Sequence, residues 1–190
     1  MKQRHGVRPA PRPPDPFGKA RHNHHDCLVA AVDTAERLCA LRGVRLTPLR
    51  RRVLELIWRS HDPIGAYAVL DALREGGRSA APPTVYRALE FLTEQGFVHR
   101  IESRNAYVGC AEPEHGHASQ FLICGRCGAA TELKDGGIQG AIGADARRLG
   151  FQVQHVMIEA IGLCPSCSAA RAAGVSRAGR GARGPSTRRG

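Results

Sequence analysis

Between residues 28 and 92, apolar side chains return every three or four positions in four separate stretches, the period of helices with one buried face. In the first stretch Leu28, Ala31, Val32, Ala35, Leu38 and Cys39 form the stripe, with Asp26 placed to cap its start and Gly43 just past its end. "RLTPLRRRVLELIWRS" predicts the second helix. Thr47 is its cap, Pro48 takes the first helical position, where a missing N–H costs nothing, and Leu49, Val53, Leu56 and Ile57 face inward. A third helix over "GAYAVLDALREGG" buries Val69, Leu70 and Leu73 and ends at the glycines. A fourth, "PPTVYRALEFLTEQG", starts near Pro83, lines up Val85, Leu89 and Leu92, and stops at Gly96.

The period then drops to two. "FVHRI" and "AYVGC" flank the polar turn "ESRN", which predicts a hairpin. Helices followed by such a hairpin give the order of a winged helix-turn-helix, whose last helix enters the major groove of DNA. On that helix Thr84, Tyr86 and Arg87 are expected to face outward, with Glu90 and Glu94 beyond them. Arg87 is the base-reading candidate, because a guanidinium bonds guanine O6 and N7 together. Tyr86 suits a sugar or a thymine methyl. From residue 119 the pattern predicts a strand in "SQFLIC", a tight turn in "GRCG" and a returning strand in "AATELK". A weak helix follows in "GGIQGAIGADARRLG", using Ile138, Ile142 and Leu149, then a long strand in "FQVQHVMIEAIGLC". This second unit, of roughly 55 residues, is too short to bury much by itself, a size at which metals or oligomerisation usually help. The fold class is α+β. A winged helix-turn-helix domain is expected over 27–109 and a small α/β domain over 110–168, between disordered tails at 1–26 and 169–190.

Charge alters this picture less than its total suggests. Of the formal net charge of +11, the two tails hold +10. Residues 27–100 carry eleven basic and eight acidic groups, and residues 101–167 carry five and seven. A specific DNA reader therefore belongs in the first half. The tails fit sequence-independent phosphate attraction and equally well plain solubilising ends rich in Pro, Gly and Arg. No apolar run is long enough to span a membrane, and the N-terminus lacks the apolar core of a secretory signal. The expected compartment is the cytoplasm, where the seven cysteines are thiols or metal ligands.

Four of those cysteines form two C-x-x-C knuckles, Cys124-Gly-Arg-Cys127 and Cys164-Pro-Ser-Cys167, each following a predicted strand. One knuckle alone would fit a redox pair. Two, in a small unit that needs a staple, predict a closed tetrahedral zinc site with no open position for chemistry. Further candidate ligands are His99, Cys110, His115, His117, Glu132 and His155, drawn from both sides of the junction between the two units. A metal held from both sides would fix their relative orientation. Taken singly, His99 and His155 read as buried strand residues and Cys110 as a small core hydrophobe. The early cluster "HNHHDC" (His22, His24, His25, Cys27) reads as adventitious metal binding.

The stretches "RLTPLRRRVLELI", "AYAVLDALRE", "PPTVYRALEFLTEQGFVHRIESRNAYVGC", "FLICGRCG" and "IEAIGLCPSC" resemble the ferric uptake regulator family, most closely its zinc uptake regulator branch. The resemblance covers about residues 28–168 and leaves out the tails. It implies a winged helix followed by an α/β dimerisation domain, with Cys124, Cys127, Cys164 and Cys167 holding structural zinc. It further implies that His99, Cys110, His117 and Glu132 hold a regulatory metal, giving at least two Zn(II) per protomer. Tyr67 and Arg87 fall on DNA-contacting positions of the family. Asp71 and Arg74 fall on positions that pair between neighbouring dimers on DNA, although on charge pattern alone they are a solvated i,i+3 pair.

A thiolate, two imidazoles and a carboxylate suit zinc, whereas iron(II) or manganese(II) favours oxygen and nitrogen, so Cys110 is the deciding ligand. His115 stands beside His117 as a substitute, and His155 is a candidate for an accessory site. The expected function is a zinc-responsive dimeric repressor of zinc-uptake genes, bound to an inverted-repeat operator on double-stranded DNA, with no membrane and no small-molecule substrate. The alternative within the family is a regulator answering to iron, manganese or peroxide. A zinc deaminase would need an H-x-E motif, which the sequence lacks, so no enzyme is expected. A general nucleic-acid-binding zinc ribbon would explain the tails but not His99 and Cys110.

Overall fold

The structure is a computed structural model that describes residues 17, 24–77, 81–114, 119–133 and 136–178, the last seven of them as backbone alone. The expectations for His115, His117 and most of both tails lie outside the described residues.

Helix α1 (His24–Leu41) buries Val32, Ala35, Leu38 and Cys39. It starts three residues earlier than expected, so Asp26 is not its cap but sits in the first turn, where a carboxylate meets the positive end of the helix dipole. Helix α2 (Pro48–Ile57) follows the predicted cap, with the Arg50 N–H donating to Thr47 Oγ1. α3 (Ala66–Glu75) and α4 (Pro82–Glu94) complete the helical set, and the inner faces of α2, α3 and α4 close on one another. Leu54, Ile57, Val69, Leu73, Val85, Leu89 and Leu92 fill the centre of that core.

The predicted hairpin is β2 (Val98–Ile101) and β3 (Ala106–Gly109). A 3-10 turn (Glu102–Arg104) joins them, and Asn105 closes it in the left-handed region at φ 46°, a conformation Asn tolerates better than most side chains. A third strand, β1 (Ile64–Gly65), pairs on the far side of β3. At two residues it is too short to produce a readable alternation.

The second unit has its own sheet, ordered β5-β4-β6. Central β4 (Ser119–Cys124) pairs antiparallel with β5 (Ala130–Glu132) and parallel with β6 (Met157–Gly162), the chain crossing over through α5 (Gly137–Arg148). Three expectations need correction. Only the last part of the predicted long strand pairs, because residues 151–156 have no partner strand. Ile138, Ile142 and Leu149 do not form a buried stripe. All three are exposed, and Ala146 is the buried residue of α5. Finally, α6 (Pro165–Ala178) continues past residue 168 into the expected tail, as the alanines of "SAARAA" favour.

Candidate metal centres and the DNA-binding face

Parallel pairing of β4 with β6 runs in register to its end, with Cys124 opposite Gly162. Both knuckles therefore turn at the same edge of the sheet. The Gly125 N–H donates to the Gly162 carbonyl at 2.9 Å, and the Gly128 N–H to the Cys124 carbonyl at 2.9 Å. Ligand atoms of Cys124, Cys127, Cys164 and Cys167 all lie within 4.8 Å of one another. Cys127 Sγ and Cys164 Sγ are 3.7 Å apart. That separation is far too long for a disulfide and close to the edge, about 3.8 Å, of a tetrahedron with Zn–S bonds of about 2.3 Å. The four sulfurs fit a zinc ion.

Their electrostatics are already uneven. Backbone N–H groups, that of Cys164 foremost and then those of Cys127 and Arg126, hold the Cys124 pKa down to about 5 against the desolvation of burial. Hydrogen bonding with the Cys164 thiol, then desolvation, pushes Cys167 up to about 12. Cys124 is thus a thiolate at neutral pH, while Cys167 keeps its proton until a cation replaces it, so rising pH favours metal uptake.

The second candidate set straddles the two sheets. His99 is on β2, Cys110 directly follows β3, and Glu132 ends β5. His99 and Cys110 are buried. His99 Nε2 lies 3.3 Å from Glu132 Oε1. Its Nδ1 shares a 2.8 Å hydrogen bond with the Ser119 hydroxyl, the arrangement that orients a ligating imidazole and leaves the other nitrogen to face the ion. The Phe121 ring packs edge-on against the imidazole at 5.5 Å. Cys110 is fixed through its N–H, which donates to the Phe97 carbonyl at 3.0 Å, and it lines one cavity of about 500 Å³ together with Glu132. One nitrogen and one oxygen donor thus meet across the junction, with the Cys110 sulfur on the cavity that Glu132 also lines. They are a looser group than the four cysteines, which are the one tight cluster of three or more such ligands among the described residues. His155 lies before β6, on a second cavity of about 630 Å³ that His99 and Ser119 also line, with Glu90, Glu94 and Glu102. It belongs to no tight ligand cluster among the described residues.

On the first unit Tyr67 is 71% exposed, and Thr84 and Arg87 also face solvent. Tyr86 departs from expectation. It is half-buried and packed against the core, so its ring anchors α4 as well as presenting an edge. Arg74 Nη1 reaches Asp71 Oδ1 at 3.5 Å, both side chains exposed. Sequence reasoning missed Ser119, which aligns His99, and two residues that tie the units together, Arg104 and Glu159. A lone carboxylate inside the apolar run "HVMIEAIG" was the available signal for the last.

Fold and site together define a winged-helix protein joined to a metal-binding α/β unit, the build of a metal-responsive regulator rather than an enzyme. The chain belongs to the Ferric uptake regulator family, whose sequence model matches residues 41–161. Over 134 residues it is 49% identical to the zinc uptake regulation protein of Escherichia coli (strain K12), a match taking in 70% of this chain and 78% of that protein. It is 31% identical over 147 residues to the peroxide operon regulator of Bacillus subtilis (strain 168), covering 74% of this chain and 97% of that one. Among solved structures it is similar to a zinc uptake regulator complexed with zinc and DNA, with TM-score 0.72 and 44% identity over 80% of this chain and 99% of the other. To holo XcZur the TM-score is 0.68 and the identity 48%, over 74% and 98% of the two chains.

Proposed function

We propose that the chain is a zinc-responsive, sequence-specific transcriptional repressor of zinc-uptake genes, acting in the cytoplasm as a homodimer on an inverted-repeat operator. What supports this reading is the approach of His99 Nε2 to Glu132 Oε1 across the junction at 3.3 Å, with Cys110 lining a cavity beside Glu132. A thiolate in that set favours zinc over iron or manganese. Cys124, Cys127, Cys164 and Cys167 hold a structural Zn(II), and His99, Cys110, His117 and Glu132 hold a regulatory one, giving at least two per protomer. His117 stands two residues before Ser119, whose hydroxyl meets His99. Bound zinc supplies a positive centre that cross-links the donors. The residues do the rest: His99 and Cys110 anchor the wing strands, Glu132 anchors the second sheet, and drawing them together fixes the angle of α4 relative to the dimer.

Residues 27–109 form the DNA-binding domain, in which Arg87 reads a base edge while Tyr67, Thr84 and Tyr86 set register. Residues 110–168 form the dimerisation domain, its apolar surface along α5 and β6 meeting a second copy. Asp71 and Arg74 would make the contact between neighbouring dimers, and His115 and His155 would serve an accessory metal. The single test is fluorescence anisotropy on a dyad operator from the chain's own upstream region, with free Zn(II), Fe(II) and Mn(II) each set by metal buffers. Binding should appear over a narrow range of very low free zinc and vanish in Cys110→Ser. Binding that ignores zinc, or answers better to iron, would send the reading to another signal.

A further inference from the structure

The tip of the wing is tied to the second unit by side chains that cross in opposite directions. From β6, the Glu159 carboxylate accepts the Glu102 N–H at 2.6 Å and the Ser103 N–H at 3.0 Å. These are amides of the 3-10 turn between β2 and β3, which have no partner within so short a helix. From that same turn, Arg104 Nη1 donates to the Cys124 carbonyl at 3.2 Å. Its guanidinium lies so close to Gly128 that a Cβ there would sit 3.2–3.3 Å from it. Arg104 therefore covers the first knuckle. Beneath both, Ile101 at the end of β2 is fully buried with Phe121 and Ile123 of β4. The Glu159 carboxyl reflects its surroundings. Desolvation pushes its pKa up, but hydrogen bonds from the Ser103 hydroxyl and from the Ser103 and Glu102 N–H groups bring it below the ordinary carboxylate value. It is ionised at neutral pH, so its bonds to the turn are charge-assisted, the stronger kind.

None of these groups belongs to the proposed regulatory ligand set, yet all act on the strand that carries His99. We infer that Glu159, with Arg104, is a positioning clamp that holds the wing tip on the second unit whether or not the regulatory site is filled, and so sets the free-zinc level at which DNA binding switches on. The physical reason is linkage. Whatever holds β2 against β4 without metal contributes in advance to bringing His99 and Cys110 up to Glu132, leaving less for zinc binding to supply. Zinc loss then lets the winged helix swing about its anchored tip instead of detaching. This rests on the zinc-sensing reading above and adds what tunes it.

The test uses the full-length zinc-loaded protein and two variants, Glu159→Ala and Arg104→Ala, compared with wild type. Glu159→Ala should raise the free zinc needed for half-maximal operator binding roughly tenfold, within the usual range of coupling between sites, while affinity at saturating zinc stays at the wild-type level. Glu159→Gln, keeping one acceptor oxygen without the charge, should fall between. Arg104→Ala should shift the midpoint in the same direction, which covers the case of a Glu159 variant that fails to fold. Independently, hydrogen exchange at the Glu102 and Ser103 amides should speed up in Glu159→Ala with and without zinc. Unchanged exchange would overturn the clamp. Faster exchange with an unmoved zinc midpoint, or an equal loss of DNA binding at all zinc levels, would overturn its role in setting the response. A wild type that ignores zinc would remove the sensing reading itself and the threshold role with it, and exchange would still decide the clamp.

Discussion

The two units of this chain solve the problem of burial in opposite ways. In the first, the apolar stripes of α1 to α4 meet one another and the wing, and the resulting core runs from Val32 to Tyr107 with Trp58 at its edge. In the second, the core cluster among the described residues is Ile101, Phe121 and Ile123, one of which belongs to the wing. Among the described residues several of its large apolar side chains face outward: Leu149 is 82% exposed, Phe151 67% and Ile161 66%, and Ile138, Met157 and Leu163 are exposed as well. Exposed apolar side chains in such number are what the proposed dimer would cover. The first unit is finished by its own packing. The second has four clustered sulfurs and, on the proposed reading, a partner to complete it.

The heaviest blow to that contrast should be Cys164→Ser. Structural zinc contributes about 10–16 kcal/mol of apparent binding free energy in small zinc domains, comparable with the whole stability of an ordinary domain. We expect this variant to lose one zinc per protomer and its dimer by metal analysis and sedimentation, while far-UV circular dichroism keeps the helical signal of the first unit. A second sheet that stays folded without metal would break the comparison. Leu89→Ala, at a fully buried site of the first core, should cost about 2–5 kcal/mol in urea unfolding and leave zinc content unchanged. Ile161→Asp should weaken dimerisation by about 1–3 kcal/mol, the scale of a central interface residue, with no change in metal content. Equilibrium sedimentation would read this, and an unaltered dimer would place the interface elsewhere. The smallest effect belongs to Asp71→Ala. Its exposed ion pair with Arg74 should change stability by less than about 0.5 kcal/mol, so any altered number of dimers per operator, seen in gel shifts, would be a contact effect.

The same contrast explains which parts of the structure were legible in sequence. Helix stripes were legible where their partners lie in the same chain: Val53, Val69, Leu73, Val85 and Leu89 are all buried as periodicity required. Ile138, Ile142 and Leu149 show the same period and are exposed, because a stripe announces that it will be covered but not by what. The four cysteines were readable from spacing, since two knuckles at the ends of neighbouring parallel strands have one way to converge. His99, Cys110 and Glu132 were not readable from spacing. They lie on or beside separate strands, and only the meeting of the two sheets brings His99 to Glu132. Glu159 and Arg104 lay further out of reach, because their partners are backbone amides and a carbonyl, which carry no sequence signature.

Gly109 stands immediately before Cys110, and a Cβ at that position would overlap the Trp58 indole. Positions 58 and 109 therefore cannot both carry bulk, and any history of substitution in this chain must pass through the smaller residue at one before the larger appears at the other. Gly109→Ala in the present background would push β3 and move the Cys110 sulfur without altering a single donor. The metal preference encoded by the donor types would survive such a change, while the sensitivity encoded by their spacing would drift. On the proposed reading, chemical identity and calibration are thus separately heritable, and a position with no side chain would govern the second.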